Sequence, residues 1–98
     1  MVKHYIIWKL KENVLNKDKV VLDIKTNLEN LVGRINGLVS MKISTEKLDS
    51  SSGDVMMDST FESIASLKEY SKNPLHQNVA NTFVRPFVEV RLSFDTEI

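Results

Sequence analysis

The spacing of apolar residues constrains this chain more than any single motif does. Along "VKHYIIWKL", Val2, His4, Ile6, Trp8 and Leu10 fall at every second position, with Lys3, Tyr5, Ile7 and Lys9 between them. Such alternation predicts a β-strand. The period then lengthens. Val20, Val21, Ile24, Leu28, Leu31, Val32 and Ile35 recur at helical spacing. Asn16 can cap the start of this helix, and Gly37 in "INGL" suits a left-handed C-terminal cap, so the pattern predicts a helix reaching Ile35.

Period two returns twice in succession. In "LVSMKISTEKL", Val39, Met41, Ile43 and Thr45 share a face opposite Ser40, Lys42, Ser44 and Glu46. "DSSSGD" is a loop by composition. "DVMMDSTF" follows, with Val55, Met57, Ser59 and Phe61 on one face. Ser63 then caps a helix that carries Ile64, Leu67 and Tyr70 on one stripe. Asn73-Pro74 ends that helix, because the residue before proline disfavours helical backbone. The same pair can open another, with Asn73 as cap and Pro74 in the first turn. His76, Val79, Ala80 and Phe83 lie along one side of it. The last strand follows Arg85 and holds Val88, Val90, Leu92 and Phe94 on one face.

Strand, helix, strand, strand, helix, strand is the ferredoxin-like α+β order, expected as one domain over residues 1–98. Right-handed crossovers then place both helical segments on one face of a four-stranded antiparallel sheet. The other face would meet water in a monomer, yet Tyr5 and Ile7 fall on it at the middle of the first strand. Two-fold association, sheet against sheet, buries such a face, so a homodimer closed into an α+β barrel is expected.

Composition removes several function classes. Thirteen basic and thirteen acidic residues cancel without long blocks of either sign, which argues against nucleic acid as a partner. No apolar run approaches the ~20 residues that cross a bilayer, so no membrane partner is expected. "MVKHYIIWKLKENV" lacks the small-residue cleavage site of a signal peptide. There is no cysteine, hence no disulfide, thiolate nucleophile or zinc–thiolate site. The expectation is a cytoplasmic protein that requires no cofactor.

Together, "VKHYIIWKLKE", "INGL", "TFES", "LKEY", "NPLHQ" and "FVRPFVE" resemble, in order and spacing, the stress-responsive α/β-barrel (Dabb) family. The resemblance runs over the whole chain and implies the same dimeric barrel. An enzymatic branch of olivetolic acid cyclase type closes a polyketide thioester by aldol chemistry in a pocket between sheet and helices. It uses the histidine of a P-x-H segment as base and the tyrosine ahead of it as partner. His76 and Tyr70 match those positions, and His4 matches a further pocket histidine. Val55 stands where that branch has a third histidine, and Leu28 or a neighbour stands where it has a pocket tyrosine. Some plant members hold magnesium on backbone carbonyls after the first helix. The matching residues are Val32, Ile35 and Leu38.

The chemistry of these residue types is coherent. Imidazole is the commonest general base, and a base next to a carbonyl needs a donor for the enolate oxygen. His76 would supply the first and Tyr70 the second, with His4, Ile6, Trp8, Val55, Leu67, Val79 and Phe83 as walls. Three readings stay open. The first is a pocket that binds a small apolar or aromatic molecule. The second is a proton-transfer enzyme of the cyclase kind, and the third a structural or regulatory dimer in which these side chains only pack. Asp54 and Asp58, four apart, read as solvated carboxylates for want of a third metal ligand. Arg85 reads as capping carbonyls, pairing with Glu89, or holding an anionic group.

Overall fold

Alternation along the chain becomes a sheet whose two faces differ in chemistry. The computed structural model describes all residues, 1–98. Four strands, β1 (Val2–Leu10), β2 (Leu38–Ser44), β3 (Val55–Phe61) and β4 (Val88–Glu97), form one sheet in the order β2-β3-β1-β4. Every neighbouring pair is antiparallel. Helices α1 (Lys17–Glu29), α2 (Ile64–Lys72) and α3 (Pro74–Val79) are followed by a π-helical turn over Ala80–Val84 and a 3₁₀ turn over Arg85–Phe87. This is the expected ferredoxin-like order.

The core lies between the helices and the inner face of the sheet. Ile6, Trp8 and Leu10 of β1 meet Val20, Ile24 and Leu28 of α1, with Met57 and Phe61 of β3 beneath. Each such side chain, fully buried, contributes about 1.5–3 kcal/mol of transfer free energy. Asn16 Oδ1 accepts from the Lys19 amide and caps α1, as its position predicted.

Two element boundaries differ from the sequence expectation. The first helix stops at Glu29, six residues short of Ile35. Beyond it the amides of Leu31, Val32 and Arg34 bond three residues back, tightening the chain into turns. Gly33 then leaves the helical region at φ +86°. Leu31 and Ile35 stay buried, so the apolar spacing persisted while the backbone changed. In β2 a bulge between Leu38 and Ser40 resets the register. Leu38, Met41 and Ile43 are buried and Val39 is exposed, because one extra residue turns the pleat over.

The outer face carries no helix. β1 and β4 pair Tyr5 with Phe94 and Ile7 with Leu92, while β3 sets Met56 beside Ile7. Leu92 is 64% and Phe94 66% exposed. The apolar half of β4 therefore points away from the core and extends the patch that Tyr5 and Ile7 begin. Asp54 and Asp58 do not form a pair. Asp54 accepts the Leu10 amide at 2.7 Å and meets Lys47 at 2.5 Å, whereas Asp58 pairs with Lys3 at 2.5 Å.

Candidate functional site

The corner between α2 and α3 places the candidate residues. Ser63 Oγ accepts the Ser66 amide and starts α2, which ends with Tyr70 buried in its last turn. Asn73 then takes extended backbone, φ −63° and ψ 131°, and its side chain accepts the Leu75 amide to start α3. Gln77 Nε2 donates to the Ser71 carbonyl at 2.5 Å and clamps the corner. Arg85 donates to Gln77 Oε1 at 3.0 Å and to Asn81 Oδ1 at 2.5 Å, so its partners are neither Glu89 nor free carbonyls.

The turn brings Tyr70 and His76 ring to ring, with centroids 4.1 Å apart. Phe61 meets Tyr70 edge-on at 4.9 Å and stands 6.2 Å from His4. On the sheet side, His4 Nδ1 bonds the Asp95 carboxylate, its partner in the β1–β4 register. Tyr70, His76, His4 and Asp95 line a cavity of about 820 Å³ between the inner sheet face and the α2–α3 corner, with Phe61 packed behind them. The volume is within the roughly 300–1,000 Å³ range of small-molecule sites.

Of the residues singled out from the sequence, His4, Ile6, Trp8, Leu67, Tyr70 and His76 line this one cavity. Val55, Val79 and Phe83 do not. Val55 and Val79 are buried in the core behind the wall, and Phe83 packs against that core. For Phe83 the reason is the π-helical turn that follows the short α3, which changes the residues per turn and brings Val84 onto the cavity instead.

Two polar atoms in this wall are buried without any partner, Tyr70 Oη and His76 Nδ1. Burial of the Tyr70 phenol raises its pKa well above the ordinary value, against the opposing charge of Arg91. It stays a protonated donor. Burial lowers the pKa of His76. The nearby Ser71 carbonyl, outside hydrogen-bond geometry, opposes that shift, and the positive charges of Arg85 and Arg91 add to it. The neutral imidazole is therefore the favoured form at neutral pH.

Sequence reasoning missed the sheet side of the cavity. Arg91, Asp95 and Glu97 of β4 line it, facing Lys68 and Gln77 of the helices. The signal was present as polar residues at every second position from Glu89 to Glu97, opposite the apolar ones. Elsewhere, the Val32, Ile35 and Leu38 carbonyls lie in the turns after α1 and at the entry to β2. Ile35 O already accepts the Leu38 amide at 3.3 Å, and Leu38 enters β2. No three His, Cys, Asp or Glu side chains gather anywhere in the chain in a way that could hold a metal ion.

Comparison with solved structures sets this architecture among known proteins. A dimeric ferredoxin-like protein of unknown function from Bacteroides fragilis superposes with a TM-score of 0.90 at 22% identity, over 99% of this chain and 95% of that one. A dimeric ferredoxin-like protein from Thermobifida fusca gives 0.84 at 15%, over 99% and 90%. The hydroxynitrile lyase of Passiflora edulis gives 0.80 at 20%, over 99% and 92%. Comparison with curated protein sequences finds no match. The family model described as Stress responsive A/B Barrel Domain (Dabb) matches residues 2–98, and the chain belongs to that family.

Proposed function

We propose that this protein is a cytoplasmic homodimer that binds a small, largely apolar or aromatic molecule in the cavity between sheet and helices. One observation carries the reading. Tyr70 Oη and His76 Nδ1 are buried, unpartnered and set side by side in the wall of a cavity. An unmet buried polar group costs about 1–3 kcal/mol, a cost that a ligand's own polar group would remove. Apolar walls from Ile6, Trp8 and Leu67 suit the rest of such a molecule. The dimer is supported by the bare apolar face of the sheet and by the dimeric proteins of the same fold.

A second reading, a proton-transfer enzyme, is favoured by the protonation states. Neutral His76 could remove a proton next to a carbonyl or nitrile, and Tyr70 Oη could donate to the charge that develops. The structural likeness to a hydroxynitrile lyase supports such chemistry as one this fold accommodates.

The test is NMR titration of the full chain with small neutral aromatic amides, phenylacetamide among them. Saturable shifts of the Tyr70 and His76 ring resonances are expected, weakened in Tyr70→Phe and His76→Leu. Ring resonances unmoved at millimolar probe would leave a structural dimer as the surviving reading. Turnover lost in His76→Leu would favour the enzyme.

A further inference from the structure

The sheet side of the cavity carries a charge that the fold does not use. Arg91 stands opposite Trp8 in the β1–β4 register, and Trp8 is buried toward the helices. Directly paired residues of antiparallel strands share a face, so Arg91 is on the cavity side, and it lines the cavity. No carboxylate lies within ion-pair distance of it. The ion pairs present involve Lys3, His4, Lys19, Lys25 and Lys47. Arg91 is itself exposed, and the same-face carboxylates Glu89 and Glu97, exposed as well, make no ion pair with it. Asp95 is held by His4, four residues along, about 13 Å at strand rise. Arg85, the other guanidinium of the cavity, is held by Gln77 and Asn81. Across the space, α2 contributes Lys68, whose ammonium also makes no hydrogen bond or ion pair.

We propose that the molecule bound in this cavity carries a carboxylate, seated on the Arg91 guanidinium while its apolar body rests against Ile6, Trp8 and Leu67. The inference deepens the cavity reading above and rests on it. A guanidinium presents parallel N–H donors that match the two oxygens of a carboxylate. Arg91 is also near enough for its charge to act on both Tyr70 and His76. A carboxylate there would place the adjoining carbon skeleton toward that pair. Lys68, on the opposite wall, adds attraction for the same sign of charge without the fork geometry.

Phenylacetate and phenylacetamide separate the possibilities, because they share a shape and differ in charge. Both are titrated at pH 7 into the full chain, its Arg91→Gln variant and its Lys68→Gln variant, following the Tyr70 and His76 rings. Wild type is expected to bind the acid about tenfold more tightly than the amide, and Arg91→Gln to abolish that preference while leaving amide affinity unchanged. The preference should also shrink as salt is raised. Equal binding of acid and amide by wild type would overturn the proposal. So would a preference that survives Arg91→Gln and is lost in Lys68→Gln. If amide and acid both leave the rings unmoved, the cavity reading itself fails, an outcome distinct from loss of charge preference alone.

Discussion

Tyr70 and His76 stack at 4.1 Å, and the pair leaves Oη of one and Nδ1 of the other buried and unmet. A pair that only filled space would have no use for those two atoms. Phenylalanine and leucine would fill the same volume without the desolvation cost. Stability and binding should therefore respond in opposite directions when the pair is stripped of polarity.

Tyr70→Phe tests this directly. The ring keeps its contacts with Phe61 and His76, and only the unpartnered hydroxyl is lost. We expect the free protein to gain about 1 kcal/mol, since an unmet buried hydroxyl costs about that much. Affinity for a cavity ligand should fall about tenfold. Chemical denaturation and NMR titration read the two quantities separately. A variant destabilised by a kilocalorie or more would mean that the hydroxyl serves the fold.

His76 gives a pH signature. Burial holds its folded pKa below the ordinary value, while the unfolded chain takes the proton near 6.5. The unfolded state thus binds more protons between those two points, and stability rises with pH there. The neutral ring's contribution is complete above about 6.5 and is lost as pH falls toward the folded midpoint. Wild type should lose stability more steeply than His76→Gln between about pH 7 and 5. The imidazole resonances of His76 should titrate with a midpoint under 6.5, and a midpoint at or above that value would contradict the assignment.

The fold was legible because alternating and helical periods survive in the composition of each segment. Element order, the faces of β1 and β3, and the caps Asn16, Ser63 and Asn73 follow from local chemistry, whereas the bulge that turns Val39 outward in β2 does not. The end of α1 was not legible. Leu31 and Ile35 keep helical spacing although the backbone has left the α-helix after Glu29 and takes a left-handed turn at Gly33. The Tyr70–His76 corner could be read from Asn73-Pro74, but the β4 wall could not. Arg91 and Asp95 have no motif, and only the register of β4 against β1 brings them to Trp8 and His4. Apolar residues were the guide to every face, so a strand whose cavity side is charged was read from its other side.

The outer face predicts assembly. Exposed apolar residues scattered singly are ordinary, but Ile7, Met56, Leu92 and Phe94 adjoin across three strands. Leu92→Asp places a carboxylate opposite Ile7 and should reduce dimer affinity by at least about a hundredfold, since burying an unpaired charge costs several kcal/mol. Leu22→Asp on α1, at a residue 59% exposed, should leave assembly unchanged. Light scattering across a dilution series distinguishes them. Equal masses for Leu92→Asp and wild type at every concentration would remove the sheet face from the interface.

The two left-handed glycines give a prediction about the frame that holds the α2 start. Gly33 and Gly37 have nearly the same φ, +86° and +84°. Alanine at either meets the backbone strain of that region, about 1–2 kcal/mol. Their surroundings differ. A methyl at Gly33 would meet nothing within 4 Å, whereas one at Gly37 would lie 2.4 Å from Ser66 Oγ and 2.5 Å from Ser66 Cβ. Ser66 cannot yield by rotating a side-chain tip, because Cβ is fixed to the backbone whose amide Ser63 caps. Overpacking of this kind adds about 1–3 kcal/mol. Gly37→Ala should therefore lower the melting temperature by roughly 4–8 °C for each additional kcal/mol beyond Gly33→Ala. Calorimetry on the two variants checks the difference. Equal melting temperatures would show that α2 shifts freely against the entry to β2, and the α2–α3 corner that carries Tyr70 and His76 would then be less rigidly set against the sheet than these contacts require.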